Sequence, residues 1–200
     1  MNKHREYFNE IAAQWDQKLD LRPEDLQPIL SRLEVKEGER VLDVGCGTGV
    51  LLPYLLQLVG ESGQVVGLDI AEKMLAMARE KIRAQNLTLH RADAARTDLA
   101  PASFQHIICF SVFPHFKDHF KVTEELSRLL TTGGQLVVAH AAGRKSINQL
   151  HRELGKPVSE DLLPEAATMR NLIRKAGLRL LQLTDQKGLY FLQAEKTAVS

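Results

Sequence analysis

Two kinds of apolar pattern alternate along the chain. Short apolar runs stand at 41–44, 65–69, 87–90, 104–110 and 135–140, as expected of strands buried on both faces of a parallel sheet. Around them lie longer stretches whose apolar residues recur every three or four positions, the period of a helix with one buried face. Tyr7, Phe8, Ile11 and Trp15 give residues 2–19 that period, and residues 23–33 follow as a second helix with Pro23 in its first turn. Helices at 50–58, 71–85 and 118–130 follow the first, second and fourth strands, whereas only a loop reaching Ser103 follows the third. Such alternation predicts an α/β fold with right-handed crossovers: one doubly wound, mostly parallel sheet with helices on both faces.

After His140 the rhythm breaks. Residues 144–154 read as helix, 155–163 as irregular and 164–176 as helix again. Two last strands, 178–184 and 189–195, flank the hairpin turn Asp185-Gln186-Lys187-Gly188, so the seven-stranded sheet is expected to end with an antiparallel strand. The predicted organisation is a single domain over 1–200, with cap helices in 1–35 and an insertion at 141–163 standing over the carboxyl edge of the sheet as a lid.

The first strand carries the chemistry. Val41-Leu42-Asp43-Val44 runs into Gly45-Cys46-Gly47-Thr48-Gly49, a turn that needs glycines for its backbone angles and lets backbone approach a ligand closely. A dinucleotide fingerprint would place its third glycine where Val50 stands. The acid two residues ahead of Gly45 suits a cationic ligand head better than a pyrophosphate. Asp69 and Asp93 end the next two strands, and ligands of doubly wound sheets bind at that carboxyl edge. Asp69, twenty residues past Gly49, is placed to accept from both hydroxyls of a ribose.

Composition narrows the partners. Lys and Arg total 26 against 25 Asp and Glu, which leaves no field strong enough to make nucleic acid or a membrane surface the main partner. Cys46 and Cys109 fall at interior strand ends, which argues against a disulfide framework. The polar start and the lack of a long apolar run predict a soluble, cytoplasmic protein without a membrane span.

On these residues the chain resembles class I S-adenosylmethionine (SAM)-dependent methyltransferases, of the small-molecule branch that includes the ubiquinone/menaquinone enzymes. The resemblance rests on the glycine stretch, Gly67-Leu68-Asp69-Ile70, Arg91-Ala92-Asp93-Ala94, residues 111–118, residues 130–134 and the opening Phe8-Asn9-Glu10-Ile11-Ala12-Ala13-Gln14-Trp15-Asp16. It implies a Rossmann-like fold and SAM as donor, leaving S-adenosylhomocysteine (SAH). Asp43 with the Gly45, Cys46 and Gly47 turn would hold the methionine end. Asp69 would hold the ribose, Ile70 and Met74 would pack on the adenine, and Asp93 and the Ala94 N–H would meet its edge. Phe110 and Ser111 would border the sulfonium, and Trp15 would close over the cofactor from where the family has a tyrosine. Thr132 replaces the usual proline before the paired glycines, and Pro114-His115-Phe116 stands where the family commonly ends a motif in His-His-Phe. No Asn/Asp-Pro-Pro-Tyr follows the fourth strand, which with the balanced charge argues against DNA or protein amines; the resemblance implies a small-molecule methyl acceptor.

His115, His140 and His151 are the candidate bases. His140, Arg144, Asn148 and His151 recur at steps of four, four and three, so the last three share one face if that segment is helical. The stripe could line the acceptor pocket, bind an anionic group through Arg144, hold a metal between imidazoles, or be a solvated helix face. No carboxylate or thiol completes a metal set there, so no metal is assigned. His4, His90, His106 and His119 read as surface or structural. A nicotinamide-dependent dehydrogenase would share the fold and Asp69, and a non-catalytic SAM-binding protein would share every cofactor residue. The acceptor atom and the choice between monomer and homodimer are not specified by these motifs.

Overall fold

A computed structural model describes residues 3–19 and 21–198. The strands are β1 (Arg40–Val44), β2 (Gln64–Asp69), β3 (Leu87–Arg91), β4 (Phe104–Phe110), β5 (Leu130–His140), β6 (Leu178–Gln186) and β7 (Leu189–Lys196). They form one sheet in the order β3-β2-β1-β4-β5-β7-β6, and β7 is antiparallel to both of its neighbours. The expected doubly wound architecture is therefore present. Strand order reverses between β1 and β4, so their carboxyl ends splay apart and leave a crevice.

Alternate residues of each strand feed two apolar layers. Val41, Val65, Ile108 and Val137 point to one side, against Leu26 and Ile29 of α3 (Pro23–Leu30) and Leu52, Leu55 and Val59 of α4 (Leu52–Val59). Leu75 and Ala78 of α5 (Glu72–Lys81) complete that layer. Leu42, Val66, Ile107 and Leu136 point to the other side. There they meet Val122 and Leu126 of α6 (His119–Leu129) and Met169 and Ile173 of α8 (Ala166–Lys175). Each fully buried Leu or Ile contributes roughly 1.5–3 kcal/mol, so these layers dominate the stability of the fold.

Several ends differ from the sequence reading for physical reasons. The expected helix at 2–19, whose first residue Asn2 lies outside the described residues, is divided. It becomes α1 (Lys3–Ile11), a 3-10 turn at 12–14 and α2 (Trp15–Leu19), with Ala12 buried against Ala71 and Met74. Helix α5 stops at Lys81 rather than near 85. Ile82 turns extended and puts its Cδ1 within 2.6 Å of where a Cβ on Gly49 would lie. The fifth strand begins at Leu130, pairs there with Phe104, and shifts register before Gln135.

Beyond His140, α7 (Arg144–Leu154) is followed by an irregular segment, 155–163. Asn148 of α7 holds that segment down. Its side chain donates to the Leu163 carbonyl at 3.1 Å and accepts from the Leu163 N–H at 2.8 Å, both in buried surroundings. Asn148→Ala strands both Leu163 groups, and each unsatisfied buried group costs about 1–3 kcal/mol. Chemical denaturation of this variant should show a loss of roughly 2–4 kcal/mol, and a change under 0.5 kcal/mol would refute the clamp.

Candidate active site

The crevice between β1 and β4 opens into a cavity of about 330 Å³. Its floor is the turn that leaves β1. The N–H groups of Gly45 and Cys46 both donate to the Leu68 carbonyl, at 2.7 and 3.0 Å, which ties the turn to the end of β2. Gly45 has φ +68°, and a Cβ there would lie 2.2 Å from Cγ2 of Val112 in the loop after β4. Glycine is required at that point by conformation and by space together. Over the next turn residue the Trp15 indole closes the cavity, its Nε1 3.5 Å from where a Gly47 Cβ would be. Asp16 bonds to Thr48 and pairs with Lys81 Nζ at 2.6 Å, pinning α2 to the glycine loop.

Two carboxylates face this floor. Asp69 accepts from the Gly47 N–H at 2.9 Å and from the Ala71 N–H at 2.8 Å, one bond to each oxygen. Burial raises its pKa against the lowering effect of those bonds. Asp43 is 2% exposed, and burial together with the charge of Asp69 raises its pKa to about 7. An acid so placed is held in readiness for a cation, which would remove the penalty of ionising it. Asp93 lies at the exposed rim and caps its own loop by accepting from the Ala95 N–H at 2.9 Å. Ile70, Met74 and Ala94 give the cavity apolar lining beside Asp69 and Asp93. Phe110 ends β4, and Ser111 beyond it holds φ +52°, a left-handed conformation that a serine adopts only under constraint.

All the residues expected to hold a cofactor line this one cavity: Trp15, Asp43, Gly45, Cys46, Gly47, Asp69, Ile70, Met74, Asp93, Ala94, Phe110 and Ser111. His115 lines it too. None of the polar stripe, His140, Arg144, Asn148 and His151, does. Arg144 is drawn to the β6–β7 hairpin, where Asp185 accepts from its N–H at 2.9 Å and faces its guanidinium at 3.7 Å. Asn148 serves the Leu163 clamp. His151 sits behind His115, the two rings stacked at 4.9 Å, and its Nδ1 bonds the Asp161 carbonyl. His140 is buried against Tyr190, and its Nε2 has no hydrogen-bond partner among the described residues. Burial, reinforced by His115 and His151, lowers its pKa to about 3, so it stays neutral.

Two residues of the cavity region were not singled out by sequence. His4, read as surface or structural, lines the wall opposite the glycine turn, and Asp161 of segment 155–163 joins it to His115. No periodicity relates positions 157 residues apart, and the acid sits in a stretch without regular structure.

Residues 35–190 match the family described as "Methyltransferase domain". Methyltransferase GfsG of Streptomyces halstedii is 31% identical over 171 residues, which span 80% of this chain and 59% of that protein. The ubiquinone/menaquinone biosynthesis C-methyltransferase UbiE of Yersinia enterocolitica is 34% identical over 142 residues, spanning 66% of this chain and 57% of the relative. The chain thus spans less than two thirds of the length of either. Among solved structures, a SAM-dependent methyltransferase from Aquifex aeolicus superposes with a TM-score of 0.72 at 26% identity, over 89% of this chain and 95% of that one.

The pKa of Asp43 fixes a sign for the effect of pH. Its folded value of about 7 lies above the ordinary 3.8, so the unliganded fold is favoured fully below about pH 4 and loses that contribution as pH rises through 7. Asp43→Asn should therefore melt close to wild type at pH 4 and well above it at pH 8. A thermal-unfolding series over that range checks this, and a variant less stable than wild type at pH 8 would contradict it.

Proposed function

The chain belongs to the methyltransferase domain family, whose donor is S-adenosylmethionine, and from that premise we propose that it methylates a small molecule bound in the cavity between β1 and β4. The observation that carries this reading is the pairing of buried Asp43 with Asp69 on one face of that cavity. Asp43 calls for a cationic head such as the donor's ammonium. Each Asp69 oxygen accepts one backbone bond and keeps acceptor capacity for a pair of ribose hydroxyls. Ile70, Met74 and Ala94 supply the apolar lining an adenine needs, with Asp93 beside it. The residues therefore fit the donor.

SAM supplies an electrophilic methyl group together with its own leaving group, so the protein's task is alignment. Phe110 at the end of β4 and Ser111 and Val112 beyond it line the cavity, and in this reading they stand between donor and acceptor. Holding the acceptor atom in line with the methyl and excluding water can supply up to roughly 7–11 kcal/mol. His4, Phe8, His115 and Phe116 line the acceptor side. Residues 1–35 act as a cap and 141–163 as a lid, with Asp161 of 155–163 bonded to the cavity-lining His4 and His115. In this reading His140 supports the wall as a neutral ring, and Arg144, Asn148 and His151 position the lid rather than touch the acceptor. The quinone methyltransferase relatives favour a small acceptor over a macromolecule. The free, buried Cys46 and Cys109 fit a reducing compartment such as the cytoplasm.

The test begins with ligand-dependent stability. SAH at 100 times its dissociation constant should stabilise the fold by about 2.7 kcal/mol, with NAD and NADP inert. A shift with NAD and none with SAM or SAH would overturn the assignment. Asp69→Ala should weaken SAH binding by roughly tenfold to a few hundredfold while the protein remains folded. Calorimetric titration measures this, and unchanged affinity would remove Asp69 from the site. Release of SAH across a panel of phenols, quinols, thiols, amines and carboxylates then identifies the acceptor.

A further inference from the structure

The acceptor wall carries a constellation that donor binding leaves unused. His4 Nε2 lies 2.8 Å from Oδ2 of Asp161, and His115 Nδ1 lies 2.7 Å from the same oxygen. The donor atoms of all three fall within 4.8 Å of one another, and the three side chains are only 14%, 12% and 11% exposed. They come from α1, from the 3-10 turn at 113–115 and from segment 155–163, so no single element accounts for their meeting. Both histidines face the cavity.

Two imidazole nitrogens and a carboxylate oxygen, converging at a cavity wall, form a donor set of borderline hardness with room for a further ligand. Zinc and its divalent first-row neighbours take such sets. We propose that His4, His115 and Asp161 bind one divalent transition-metal ion, with a remaining coordination position facing the cavity. The site is supported from behind, as metal ligands are. His151 stacks on His115 at 4.9 Å and bonds the main-chain carbonyl of Asp161, so one positioning residue steadies two ligands.

The adjustment needed is small. Metal–ligand bonds of about 2.0–2.2 Å in tetrahedral array set donor atoms about 3.3 Å apart, roughly half an ångström beyond the present hydrogen bonds. The ring nitrogens now facing Oδ2 would become the ligating atoms, so a ring proton would sit on the opposite nitrogen of each imidazole. An ion here would take an acceptor's oxygen or sulfur and favour its deprotonated form. That consequence rests on the methyltransferase reading of the cavity; metal binding itself does not.

The experiment uses the full chain prepared without a polyhistidine tag, stripped with chelator and titrated with Zn²⁺ by calorimetry. One ion per chain is expected, with a dissociation constant below about 10 μM. His4→Ala, His115→Ala and Asp161→Asn should each weaken binding by about 100-fold or more, beyond the usual effect of losing a supporting residue. His90→Ala, which removes a surface histidine paired with Asp98 at 2.7 Å, should leave it unchanged within about twofold. If a ligand variant does not fold, wild-type protein loaded with Co²⁺ decides the matter, since a four-coordinate nitrogen–oxygen site gives intense visible absorption and an octahedral surface ion does not. Absence of stoichiometric binding, or binding insensitive to all three substitutions, would overturn the proposal. SAH titrations run alongside separate the two readings. SAH binding without metal removes the ion alone, and metal binding without SAH binding removes the donor assignment alone.

Discussion

The turn after β1 has no room for a side chain at Gly45 or Gly49, and much of the site follows from that restriction. Val112 approaches Gly45 so closely that even a methyl group would collide, while Ile82 crowds Gly49 from the opposite side. The turn's first two N–H groups are committed to the Leu68 carbonyl and the next glycine's to Asp69. The carboxyl ends of β1 and β2 are thereby locked to one another, and Val112 after β4 packs against the same turn. The path of the turn also decides where α4 starts, where α5 must stop, and where Trp15 can rest.

That locking brings two carboxylates together under cover, which no fold would choose on stability alone. The charge of Asp69 adds to the burial of Asp43, and Ser111 nearby holds an unfavourable backbone conformation. Each is a local destabilisation of a kind that concentrates at functional sites. The two apolar layers offset it, since the inward residues of β1, β2, β4, β5 and β7 are almost all fully covered. A bound cation would relieve the electrostatic part, so folding and ligand binding are coupled through Asp43.

Strands buried on both faces are continuous apolar runs, and for that reason the sheet, its order of elements and the acids at its strand ends could be read from the sequence. Helix ends could not, because tertiary contacts decide them. The stretch from Ile82 to Gln85 continues a helical pattern, yet Ile82 is needed against Gly49. The opening helix breaks where Ala12 packs on Ala71 and Met74. The polar stripe of α7 shows the limit of periodicity: spacing says that Arg144, Asn148 and His151 share a face, not what that face meets. It meets the hairpin, the Leu163 backbone and the back of His115. The meeting of His4 with Asp161 and His115 is wholly a product of topology.

The two halves of the cavity consequently differ in how firmly they are held. The part around Asp43 and Asp69 is built on strand ends and backbone bonds. The part around His4 and His115 is built from α1, the turn at 113–115 and segment 155–163, joined through side chains. Phe8 links the halves, edge-on to Trp15 at 5.5 Å and to His115 at 5.1 Å. Yet α1 buries none of its own residues completely, and its attachments are largely polar and half-exposed: Arg5 to Glu72 at 2.8 Å, and Asn9 to the Lys73 N–H at 3.0 Å. Exposed contacts of this kind are weak and screened by salt. Displacing α1 would break the Phe8 and Ile11 contacts and these polar pairs, while displacing the floor would require unpairing the sheet. Trp15 over the glycine turn and His4 beside Asp161 belong to the same short run of chain, so any displacement of that run would move both together.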